Sequence, residues 1–189
     1  MRKLAIFVSG GGTNLQRIAE YFANDSRVGI ACVVSNNKDA YANKRAENLG
    51  IPLILIDRQK FNDKAFSEQL KAMDVDLIVL AGFLWLIPQH LIDAFPNKII
   101  NIHPALLPKY GGKGFYGHHV HEAVVAAHEK ESGITIHYVN ERYDSGDIIF
   151  QKKVALSATD TPDDVAAKIH ILEQENFPVV IEKLLFDKK

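Results

Sequence analysis

Short apolar runs alternate with stretches of helical periodicity along most of the chain, and together they predict a repeated β-α unit. Leu4 to Ser9 reads as a buried strand, Gly10-Gly11-Gly12 turns the chain, and Leu15, Ile18, Ala19 and Phe22 follow at helical spacing. The same alternation predicts a strand over 29–35, a helix over 40–49, a short strand over 52–56 and a helix over 62–73. Residues 76–81 form an apolar run without polar alternation, as expected of a strand covered on both faces. A short helix from Pro88 then precedes an apolar strand that begins at Lys98 and carries Asn101. This order predicts an α/β fold on an open, doubly wound, mostly parallel sheet of Rossmann-like type.

The final third breaks the pattern. Residues 118–128 read as a helix, whereas Ile134, Ile136 and Tyr138 alternate with Thr135, His137 and Val139. A second strand over 147–154 completes a pair that predicts an antiparallel addition at one sheet edge. Thr161-Pro162-Asp163-Asp164 opens a last helix with a cap residue, a proline in the first turn and two acids suited to the helix dipole. Val165, Ile169 and Leu172 give that helix a packing face. With no internal repeat, low-complexity tract or linker, the expectation is one domain over 1–189.

Composition narrows the function classes. The 22 Lys and Arg nearly balance the 23 Asp and Glu, so no global basic field is available for nucleic acid or an anionic membrane. No apolar stretch is long enough to span a bilayer. The charged start and apolar middle of the N-terminus resemble a signal peptide, but they run straight into a glycine turn and an amphipathic helix, and read instead as the first strand. The one cysteine, Cys32, cannot form an internal disulfide, which fits a reducing, cytoplasmic setting.

Ser9-Gly10-Gly11-Gly12-Thr13-Asn14 joins the first strand to the first helix. Glycines admit close backbone approach, a helix N-terminus offers free N–H groups to a phosphate, and Thr13 and Asn14 add side-chain donors. Leu15 stands where a dinucleotide fingerprint has its third glycine, and no Gly-Lys-Ser/Thr follows to make a P-loop. A small phosphorylated ligand is the expectation; a plain β-to-α turn is the alternative.

The chemistry concentrates at Asn101-Ile-His103-Pro104, where an amide and an imidazole two residues apart project to one side of a strand end. Asn101 can donate to a developing oxyanion, and His103 can carry a proton near neutral pH. Asp144, in an Asp-Ser-Gly turn, can orient that imidazole and raise its pKa. Each has a structural alternative: a strand-end cap, a satisfied half-buried histidine, a turn residue.

Asn101-Ile-His103-Pro104-x-Leu106-Leu107-Pro108 followed by Asp144-x-Gly resembles the signature of the folate-dependent formyltransferases. Ser9 to Leu15 and Leu80-Ala81-Gly82-Phe83-Leu84 are similar to the same family, and specifically to its phosphoribosylglycinamide formyltransferases of purine synthesis. Relatives acting on methionyl-tRNA add a C-terminal domain and the deformylases an N-terminal one, and the expectation is that this protein has neither. The resemblance implies 10-formyltetrahydrofolate as formyl donor, glycinamide ribonucleotide as acceptor, and Asn101, His103 and Asp144 as the catalytic set. It implies acceptor contacts from Gly12, Thr13, Asn14, His170 and Glu173, and folate contacts from Leu84, Trp85, Leu86, Ile87 and Asn101. Trp85 departs from the arginine that many relatives carry, so only a backbone contact there would survive the change. Small-molecule substrates, a monomer or weak homodimer, and no nucleic acid, membrane or metal complete the expectation.

Core packing is the rival role for Leu86, and a solvated helix face for His170 and Glu173. Residues 109–117, with four glycines and two lysines, suit a mobile lid over an anion, or equally a flexible insertion. His118, His119 and His121 invite a metal reading, but no acid or cysteine stands at a recognised spacing and Glu122 is expected to point elsewhere. His137 would face the cleft or fill the sheet surface. The rival activities are a deformylase, with water as acceptor, and a noncatalytic folate- or phosphoribosyl-binding module.

Overall fold

The computed structural model describes residues 1–187; Lys188 and Lys189, the end of the expected domain, lie outside the described residues. Seven strands form one sheet: β1 (Arg2–Val8), β2 (Val28–Ser35), β3 (Leu53–Leu55), β4 (Leu77–Leu80), β5 (Ile99–His103), β6 (Glu131–Tyr138) and β7 (Ile148–Ala155). Their order is β3-β2-β1-β4-β5-β6-β7. The first five pair in parallel, and β6 and β7 add antiparallel at the β5 edge. The fold class is therefore the one that the hydrophobic pattern predicts.

The central strands are apolar throughout because both faces are covered. On β1, Leu4, Ile6 and Val8 pack into one core cluster, and Ala5 and Phe7 into the other. The first cluster takes side chains from α1 (Thr13–Phe22), α2 (Tyr41–Asn48), α6 (His118–Ala126) and α7 (Pro162–Phe186). The second takes them from α3 (Arg58–Asn62), α4 (Lys64–Ala72) and α5 (Gln89–Ala94). Period-two alternation between two buried faces leaves no polar signature, as in doubly wound sheets generally.

Two helices differ from expectation. The predicted helix over 62–73 is α4, and an unpredicted helix, α3, precedes it and ends where Asp63 is extended at φ −81° and ψ 130°. The Asp57 side chain caps α3 by accepting from Lys60 N–H, and Asp63 caps α4 by accepting from Ala65 N–H. The last helix begins with the expected cap, a reciprocal Thr161–Asp164 box, but runs 25 residues and passes through Pro178. Proline has no N–H for the Gln174 carbonyl one turn earlier. Arg17 Nε on α1 donates to that carbonyl at 3.1 Å, which ties the two helices together.

Strand order reverses between β1 and β4, the switch point beside which open α/β sheets bind their ligands. The glycine turn after β1 and the Ala81-Gly82 turn after β4 both lie there. Ser9 Oγ accepts from Leu84 N–H at 2.9 Å and holds the two turns together.

Candidate active site

A cavity of about 640 Å³ opens at this switch point, lined by Gly10–Asn14, Ala81–Leu84, Asn101–Pro104, the 112–117 loop, Asp144 and α7. Its phosphate-ready end is the start of α1. Gly12 is the N-cap at φ 74°, and no side chain caps the helix, so its first amides face the cavity end unpaired. A Cβ on Gly12 would lie 2.7 Å from the Ala42 Cβ, so both the conformation and the space require glycine. Arg45 Nε donates to the Gly11 carbonyl at 2.9 Å and fixes the turn from behind.

The Asn14 amide is committed to α7. Its Nδ2 donates to Glu173 Oε2 at 3.2 Å, and its Oδ1 accepts from Gln174 Nε2 at 3.1 Å. The side-chain donor expected of Asn14 thus holds Glu173 at the cavity wall. His170 sits 3.5 Å from the same carboxylate, whose hydrogen bond raises the imidazole pKa. Glu173 is mostly buried and His170 about half exposed, so the solvated-face alternative describes only His170.

At the other end Asn101, His103 and Asp144 converge. Asn101 and His137 are direct cross-strand partners on β5 and β6, and His103 lies two residues along β5 on the same side. Asn101 Nδ2 donates to His137 Nε2 at 3.1 Å and, more weakly, to Asp144 Oδ1 at 3.4 Å. His137 Nδ1–H donates to the Tyr138 carbonyl at 2.8 Å, which fixes its tautomer. His103 Nε2–H donates to the Tyr110 carbonyl at 2.7 Å, while Nδ1 stands 3.5 Å from Asp144 Oδ2. Gly112 N–H donates to the same Oδ2 at 2.9 Å.

At His103, burial is set against the expected effect of Asp144. Burial lowers the His103 pKa below its ordinary value; Asp144 opposes that fall but does not reverse it. For Asp144 itself, burial pushes the carboxyl up. The His137 ring 3.5 Å from its Oδ1, the charge of His103 and the Gly112 amide outweigh burial and hold it below the usual range.

The expected folate strip divides. Leu84 lines the main cavity, whereas Trp85, Leu86 and Ile87 border a crevice of about 50 Å³ behind Asn101, His137 and Asp144. Ile87 is buried, but Leu86 is 39% exposed, so core packing is not its role. The Trp85 ring is held by Phe61, 5.5 Å away, with the Arg58 guanidinium 3.8 Å over its face.

The loop over the cavity is less cationic than its sequence suggests. Lys109 pairs with Glu129 at 2.8 Å, and Lys113 lines the cavity. Glu122 does not point away from the histidines of α6: it lies 3.1 Å from His119 and 3.8 Å from His118. Among the described residues no group of three or more His, Cys, Asp or Glu is placed to hold a metal ion. Of the two roles open to His137, the structure gives the cleft-facing one, and His121 lines the cavity wall.

A formyl transferase family model matches residues 2–181. The chain belongs to the formyl transferase family. It is 43% identical over 189 residues to the chloroplastic phosphoribosylglycinamide formyltransferase of Vigna unguiculata, covering 97% of this chain and 61% of that protein. It is 39% identical to the phosphoribosylglycinamide formyltransferase of Haemophilus influenzae, covering 96% and 86%. The crystal structure of phosphoribosylglycinamide formyltransferase from Anaplasma phagocytophilum superposes with a TM-score of 0.89 at 34% identity, covering 98% and 87%. The chain thus spans about three-fifths of the plant formyl transferase it matches and most of the two bacterial ones. No described helix is long and apolar enough to cross a membrane.

Proposed function

We propose that this formyl transferase moves the formyl group of 10-formyltetrahydrofolate to the amine of phosphoribosylglycinamide, as a step of purine synthesis. The observation that carries the reading is a single cavity with unpaired helix-start amides at one end and Asn101, His103 and Asp144 at the other. A phosphorylated acceptor anchored at Gly12, Thr13 and Asn14, and met by Glu173 and His170, extends its amine toward His103. The donor's heterocycle lies along Leu84, Trp85, Leu86 and Ile87, beside Asn101. That requires the small crevice to widen, with Trp85 contributing backbone contacts from a fixed ring.

The amine attacks the formyl carbon and the carbonyl oxygen becomes an oxyanion. Asn101 turns the N–H of its long Asp144 contact to that oxygen, since a charge localised on one oxygen is a stronger acceptor than a carboxylate that shares its charge over two and lies 3.4 Å away. Charged His103, sustained by Asp144, stabilises the same oxygen, gives its proton to the folate nitrogen as the C–N bond breaks, and takes up the proton that the attacking amine sheds as it becomes an amide. His103 must release the Tyr110 carbonyl to do so, which links chemistry to movement of the 109–117 loop. The chain works as one domain, in the cytoplasm, as a monomer or weak homodimer, with two small-molecule substrates and no metal.

The test is absorbance-followed release of tetrahydrofolate with and without the acceptor. Release that requires the acceptor supports transfer; equal release in both identifies a deformylase, and folate binding without release a noncatalytic module.

A further inference from the structure

Of the histidines that line the main cavity, His121 is the one that the proposed chemistry does not use. It lies on α6, is 6% exposed and lines the cavity wall. Its Nδ1 is buried without a hydrogen-bond partner. A buried, unpaired imidazole nitrogen costs stability, so its retention at a cavity wall points to a partner that arrives with a ligand.

Its position along the cavity selects which part of the ligand. It shares the cavity wall with Glu173 of the acceptor end and His103 of the reacting end, and the charges of both bear on the ring. His118 is a ring neighbour at 6.3 Å between centroids. Burial disfavours the charged imidazolium, and a neutral imidazole is one donor and one acceptor. A phosphate dianion wants donors only; a hydroxyl, itself donor and acceptor, matches the neutral ring. Between the phosphate and the amine, a phosphoribosyl amine carries two such groups, the vicinal ribose hydroxyls. Rotation about χ2 exchanges a nitrogen with a carbon of the ring, so a nitrogen can be turned to the cavity at small cost.

We infer that His121 binds a ribose hydroxyl of the acceptor and so selects a ribosyl over a deoxyribosyl substrate. This rests on the acceptor assigned above. It makes His121 a binding and specificity residue, since it touches no reacting atom.

The experiment compares wild type, His121→Phe and His121→Gln with glycinamide ribonucleotide and with its 2′-deoxy and 3′-deoxy analogues. Phe keeps most of the ring volume without a nitrogen; His121→Leu replaces it if Phe does not fold, because Val120 and Val124 are already buried beside it. The apolar variant should raise KM for the ribonucleotide roughly tenfold, as for one lost hydrogen bond. The donor KM and kcat should stay within about threefold, and Gln, which keeps a donor and an acceptor, should recover most of the loss. One deoxy analogue should bind wild type roughly tenfold more weakly, yet bind the apolar variant as well as the ribonucleotide does. An unmoved KM, or a deoxy penalty equal in both proteins, overturns the inference. Wild type that turns over donor independently of any acceptor instead removes the functional reading beneath it.

Discussion

His103 Nδ1 and Asp144 Oδ2 face each other at 3.5 Å with both side chains almost fully buried. Burial and the carboxylate act on the imidazole in opposite directions, and burial is the larger effect. The pair therefore limits the loss of a charged histidine without raising its pKa above the ordinary value.

The Asp144→Asn variant should show the sign of this coupling. Without the carboxylate the His103 pKa falls further. The charged ring is the active form, so activity is lost as pH rises through that pKa, and this limb of the pH–rate profile moves to lower pH. NMR titration of the His103 ring should move the same way. A profile and a titration both unchanged would leave Asp144 as a turn residue that happens to lie nearby.

Asn101→Ala removes the oxyanion donor. It should lower kcat by roughly 10²–10³ with little change in either KM. Activity within threefold of wild type would rule out that role.

Gly12→Ala tests the acceptor end. The residue is held at φ 74° and its new Cβ would meet Ala42. A loss of about 1–2 kcal/mol is expected from strain and crowding, which lowers Tm by roughly 2–8 °C. The acceptor KM should rise while the donor KM holds, since the displaced turn carries the helix-start amides. Wild-type Tm and KM would contradict this account of the turn.

Much of this was legible in the chain. The alternation of Leu4, Ile6 and Val8 with Ala5 and Phe7 is hidden in an unbroken apolar run, yet the run itself identifies a doubly covered strand. Asn101 and His103 declared themselves by their shared side of β5. What sequence could not supply is register and depth. That His137 stands opposite Asn101 depends on how β6 pairs with β5, and that burial outweighs Asp144 at His103 depends on how deep the ring lies. Helix α3 escaped notice because five residues burying only Phe61 carry no periodic signal, although Asp57 and Asp63 are caps at its two ends. The commitment of Asn14 to Glu173 and Gln174 spans about 160 residues of sequence and follows from packing of α1 on α7 alone.

The Arg17–Gln174 bond offers a test of that packing. Arg17→Ala should destabilise by about 1 kcal/mol, through a carbonyl that Pro178 leaves without its helical donor. In a Pro178→Ala background, where the helix N–H is restored, the same change should cost less. Denaturant unfolding of the four proteins of this cycle measures the difference; identical costs in both backgrounds would show that the arginine does not serve that carbonyl.

The most direct test of the central claim follows the formyl carbon itself. Wild type is supplied with 10-formyltetrahydrofolate labelled with ¹³C at the formyl group, together with glycinamide ribonucleotide, and the products are read by mass spectrometry. The account predicts the label in an amide on the acceptor, in step with tetrahydrofolate release, and its near-absence with His103→Ala. Label recovered as free formate, with the acceptor unmodified, would contradict it.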